Sequence, residues 1–142
     1  MTGVQTCALP IFLNCKFYEN KQIVSVAGGS YSFKNCTAER SNPTSAASIV
    51  LWNFSGLSGI GGTYCLEMDN VHCEANSCYK EMYLDFATSN KSAKIMCSNF
   101  LGTSTTYGIQ VNNGIVDLDQ VCVFNAGTAL QIGATEIGRA HV

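Results

Sequence analysis

Asp117 and Asp119 stand two residues apart in the run Ile115-Val116-Asp117-Leu118-Asp119. On an extended strand such residues share a face, so the sequence sets two carboxylates side by side. Hydrolysis of a glycosidic bond uses two carboxyl groups, one as general acid and one as base or nucleophile. These two are therefore the candidate catalytic pair, and a solvated strand face is the plainer reading. His72, with Asp69 and Glu74 nearby, is the only histidine before Glu136, and no serine or cysteine motif marks a nucleophile beside it. Arg40 is the only arginine before Glu136. Trp52, Tyr79, Tyr83 and Tyr107 are read as exposed aromatics able to stack on sugar rings, with ordinary packing as the alternative. Three N-x-S/T sequons, at Asn35, Asn53 and Asn90, are expected by chance in a chain so rich in Asn, Ser and Thr.

Cysteine is the other reactive type. Cys15, Cys36, Cys65, Cys73, Cys78, Cys97 and Cys122 lie in the central stretch. Cys15, Cys36, Cys73, Cys97 and Cys122 are expected at equivalent points of successive repeats, as a core ladder of buried thiols, because free cysteine behaves as a small hydrophobe. Disulfides are the alternative, since stacked strands lie about 4.8 Å apart. Cys73 and Cys78 do not have zinc-type spacing and no second close pair exists, so neither metal nor cofactor is implied.

The elements that must carry these residues recur. Cysteine-bearing segments (Leu13–Asn20, Ser30–Asn42, Thr63–Asn76, Ala93–Phe100, Ile115–Asn125) alternate with shorter ones (Gln22–Gly29, Ser48–Phe54, Glu81–Ser89, Tyr107–Gly114, Thr128–Ala134). Cys15 to Cys36 is 21 residues, Cys73 to Cys97 is 24 and Cys97 to Cys122 is 25. The one long step, Cys36 to Cys73, is expected to hold a loop insertion at about 40–62. Such a period, with two or three short strands per unit, is that of a solenoid. Apolar residues alternate with period two within segments, and the register restarts near Asn35 and Asn70, as at a corner. Gly28-Gly29, Gly61-Gly62 and Asn112-Asn113-Gly114 supply turns of positive φ. Asn20, Asn42, Asn76 and Asn125 are expected to stack and bond to one another.

Composition agrees with an all-β chain: one proline after the N-terminal segment, sparse charge and a net charge of −2. There is no basic patch for nucleic acid and no apolar run long enough to span a membrane. The two ends read differently. Met1–Ile11, MTGVQTCALPI, matches the translation of one strand of a short-read sequencing adapter, and Glu136–Val142, EIGRAHV, matches the other strand. Residues 1–12 and 136–142 are thus expected to be adapter-derived and 13–135 to be an internal piece of a longer protein.

The phrases GGSYSFKNCTA, MDNVHCEAN, IMCSNF and DQVCVFN resemble coils of the right-handed parallel β-helix, the pectin-lyase-like architecture. The resemblance covers residues 13–135 and implies about five coils, truncated at both ends. An antiparallel β-sandwich is the competing fold. The resemblance implies a structural or carbohydrate-binding segment of a surface, secreted or phage tail protein, of tailspike or adhesin type. The implied partner is a polysaccharide or other glycan, the location extracellular, cell-surface or virion, and the parent a homotrimer if a tailspike. The rival reading is a fragment of a polysaccharide hydrolase or lyase. That family's asparagine, histidine and basic motifs are not recognisable around Asp117 and Asp119. A solenoid cut at both ends is also expected to expose strand edges and to aggregate.

Overall fold

Short apolar–polar alternations punctuated by Asn and Gly make strands, most of which end where the backbone turns left-handed, and the described residues form little else. The computed structural model describes residues 10–41, 49–58, 64–88, 90–133 and 139–141. Asn42, Pro43, Gly61, Gly62, residues 1–9, residues 136–138 and Val142 lie outside the described residues.

The structure is all-β, and its strands pair in parallel. The first sheet has the spatial order β1 (Ile11–Leu13), β4 (Tyr31–Lys34), β7 (Leu66–Asp69), β9 (Ser92–Met96), β11 (Ile115–Asp119) and β13 (Arg139–His141). The second has the order β2 (Lys16–Tyr18), β5 (Thr37–Glu39), β8 (His72–Phe86), β10 (Asn99–Asn112) and β12 (Cys122–Ile132). The chain alternates between them, and each return adds a strand beside the previous one. A further row is formed by β3 (Val24–Ala27), β6 (Val50–Leu57) and the second halves of β8, β10 and β12. This order is that of a solenoid-like progression. Parallel pairing disfavours the antiparallel sandwich, whose hairpins would pair consecutive strands antiparallel.

The corners explain the register restarts. Asn14, Asn35, Asn70, Cys97 and Gln120 have φ of 55, 52, 53, 49 and 52°, each just before the chain enters the second sheet. Glu19, Arg40 and Ala75, with φ of 53, 53 and 54°, mark the next corner. Asn tolerates this region better than most residues. Asn70 Nδ2 also donates to Asn35 Oδ1 at 2.9 Å, so two corners are tied side chain to side chain. The asparagine ladder predicted further along does not form at Asn76, which bonds instead to Ser41 N, Ala38 O and Glu81 Oε1.

Inward rows fill the core. Phe12, Phe33, Met68, Ile95 and Leu118 are in register across the first sheet, with Phe12 and Phe33 stacked at 4.6 Å. Trp52 meets Phe33 edge to face at 5.2 Å. The stretch expected as a loop insertion, about 40–62, contains β6, whose Leu51, Trp52, Phe54 and Leu57 are buried. Its apolar residues make it core, and the strand runs on through Ser55 and Gly56.

Candidate functional site

Asp117 and Asp119 project from one outward face of β11, on either side of the inward Leu118, while Val116 and Leu118 are buried. In backbone register Asp117 lies between Lys94 and Arg139, and Asp119 between Met96 and His141, with Lys94 in turn facing Glu67. The pair therefore sits in a mixed-charge row on an open strand face, with Asp119 exposed. The other sequence candidates do not join it. His72 Nε2 pairs with Glu74 Oε2 at 3.1 Å on β8. Arg40 donates from Nη1 to Tyr18 Oη at 2.7 Å and lies over its ring, which fastens a corner to the neighbouring strand.

The expected cysteine ladder forms only in part. Cys36 and Cys73 are buried, and Cys15 is half-buried on the first strand row. Cys97 and Cys122 are exposed. The corners show why. Cys15 and Cys36 directly follow left-handed residues; Cys73 lies two positions further on, Cys97 is itself the left-handed residue, and Cys122 follows Gln120 by two. The cysteines thus stand at different offsets from the corner, and a slip of one residue turns a side chain to the other face of a strand. The inward position after the corner is held in turn by Cys15, Cys36, Val71, Ser98 and Val121. Cys122 instead occupies the outward row of Lys16, Thr37, His72 and Asn99.

A buried polar cluster that no sequence motif marks lies within the core. At the bend of β8 two consecutive residues, Glu81 and Met82, turn inward. Asn76 Nδ2 donates to Glu81 Oε1 at 2.9 Å and the Cys78 thiol to Oε2 at 3.5 Å. Burial pushes the Glu81 carboxyl up from 4.5 to about 6, against the lowering effect of its Asn76, Cys78 and Cys73 donors. The thiols of Cys73 and Cys78 are raised by burial first and by the Glu81 charge second. The Trp52 indole N–H sits beside Cys73 without a hydrogen-bond acceptor that meets ordinary geometry. The same double-inward step recurs as Leu51-Trp52 and Gly108-Ile109, so aligning the rows at this bend would have turned Glu81 inward. Among the described residues no group of three or more His, Cys, Asp or Glu side chains is arranged to hold a metal ion.

The outer wall beside this bend carries aromatics and amides. Trp52, expected among the exposed rings, is instead fully buried, because it takes an inward position on β6. Tyr79, Tyr83 and Tyr107 are half-buried on the outside. Tyr79 and Tyr107 meet edge to face at 5.5 Å, and the Lys80 ammonium lies 5.2 Å from the Tyr79 ring centre and 4.8 Å from that of Tyr83. Desolvation lowers the Lys80 pKa. Along the same wall, Ser25, Asn53, Tyr83, Gln110 and Gln131 form one register row. Asn53 Nδ2 reaches Ser25 Oγ at 3.4 Å, and Gln110 Nε2 donates to Gln131 Oε1 at 2.8 Å. Gln110 Oε1 is left without a donor. Asn112 Nδ2 donates to Asp85 Oδ1 at 3.0 Å in the adjoining row. Such a wall can offer ring faces to sugar C–H groups and paired amides to hydroxyls.

Compared with protein-family models, curated proteins and solved structures, the chain gives no match in any of the three.

Proposed function

We propose that this chain is a segment of a right-handed parallel β-helix of about five coils, and that it presents a carbohydrate-binding wall. The parent would be a surface, secreted or phage tail protein of tailspike or adhesin type, and residues 1–12 and 136–142 would be adapter-derived. The observation that carries the binding reading is the cluster of Tyr79, Lys80, Tyr83 and Tyr107 beside the Asn53–Gln110–Gln131 amide row. Strand register spaces these groups at about 4.8 Å per row, a rigid array along which an extended glycan can lie.

The test is binding of the purified chain to an array of neutral and uronic-acid polysaccharides. Binding that Tyr83→Ala and Tyr107→Ala weaken at least tenfold, with Asp117→Asn unaffected, supports the reading. No binding across the array contradicts it. Cleavage of a polysaccharide, abolished by Asp117→Asn or Asp119→Asn, would replace it with the hydrolase reading.

A further inference from the structure

Most described cysteines face a different residue type in the neighbouring strand row. Cys73 lies in register with Ala38 and Phe100, and Cys122 with Asn99. Cys97 donates to Gln120 Oε1 at 3.5 Å. Cys73 and Cys78 belong to one strand and have the Glu81 carboxylate as a common partner. Cys15 and Cys36 differ. Each directly follows a left-handed asparagine, Asn14 or Asn35, at the same corner. Asn14 N donates to Lys34 O at 3.0 Å and Thr37 N to Cys15 O at 2.9 Å, so these hydrogen bonds bracket the two cysteines in register. Their Cα atoms are then one strand spacing apart, about 4.8 Å, inside the range a disulfide bridges. The Cys36 sulfur reaches toward its neighbour's row already: it lies 3.5 Å from Phe12 O on β1 as well as 3.4 Å from its own Lys34 O.

We propose that Cys15 and Cys36 are a redox pair that closes into a disulfide, fastening the first strand row to the second. The proposal is independent of the glycan reading. With oxidised glutathione as the oxidant, the half-buried Cys15 reacts first. Its thiolate attacks one glutathione sulfur, forms a Cys15–glutathione mixed disulfide and releases one glutathione thiolate, which takes up a proton. The buried Cys36 then loses its proton, and its sulfur attacks the Cys15 sulfur and expels the second glutathione. Two protein thiols are oxidised and one glutathione disulfide is reduced to two glutathiones. Burial raises the Cys36 pKa, so the second step quickens as the solution is made alkaline.

The experiment uses the full chain carrying Cys7→Ser, because Cys7 shares a tryptic peptide with Cys15. The folded protein is incubated with oxidised glutathione, alkylated, digested with trypsin without reduction and analysed by mass spectrometry. Cleavage at Lys16, Lys34 and Arg40 isolates Cys36 in Asn35–Arg40. The expected product is that peptide joined to the one ending at Lys16, released by dithiothreitol and formed faster at higher pH. With Cys36→Ser added, Cys15 should remain as the glutathione adduct. Asn35–Arg40 recovered wholly alkylated, or joined to a peptide carrying another cysteine, would overturn the proposal.

Discussion

Replacing Glu81 by Gln probes the buried cluster directly. Glu81 is almost fully buried and its pKa is raised from 4.5 to about 6. A carboxyl with a raised folded-state pKa stabilises the fold fully below its unfolded value, and that contribution is lost as pH rises through the folded one. The window here is about pH 4.5 to 6, and a shift of that size corresponds to roughly 2 kcal/mol. Glutamine cannot ionise, keeps the Oε1 acceptor for Asn76 and offers an N–H toward the Cys78 sulfur. The variant is therefore expected to exceed the parent by roughly 2 kcal/mol at pH 7 and to match it near pH 4. Urea unfolding followed by fluorescence of Trp52, the only tryptophan, measures this at each pH. Equal pH dependence in the two proteins, or a less stable Gln variant at pH 7, would show that the Glu81 carboxyl is not destabilised by burial.

Three further outcomes follow from the packing. Asn70→Ala removes the bond to Asn35 and places alanine in the left-handed region; it should cost about 1–2 kcal/mol in urea unfolding, with Asn70→Gly costing less. Gly108→Ala sets a methyl against the Val123 side chain and the Ala129 carbonyl, and should lower stability by about 1–3 kcal/mol. Leu130 and Ile132 continue the inward rows of Ile109 and Val111 yet remain exposed on β12. Sedimentation should show concentration-dependent self-association, reduced by Leu130→Lys with Ile132→Lys.

The strands and two of the corners were legible because their physics is local. Period-two alternation marks a half-buried strand, and the left-handed turn selects Asn, so Asn35 and Asn70 announced themselves. Other corners did not, because Cys97, Gln120, Glu19 and Arg40 adopt the same φ without a residue preference for it; tertiary context imposes it. Cysteine was a poor ruler for the repeat, since it serves inward, corner and outward positions alike. Trp52 is buried although its sequence context suggests exposure, because β6 turns it inward against the neighbouring strands. Glu81 was invisible for a related reason: strict alternation turns it outward beside Met82, whereas the bend turns both inward. The tyrosines were recognisable as candidates, but only register across β6, β8, β10 and β12 sets Tyr83 in the amide row and Tyr107 beside Lys80.

That register underlies every placement, and an amide-resolved nuclear Overhauser spectrum of the chain tests it most directly. Cross-peaks are expected to link Tyr83 to both Asn53 and Gln110, and Gln110 onward to Gln131, in the parallel pattern. Short Hα–Hα contacts between consecutive strands, the mark of antiparallel pairing, would contradict it.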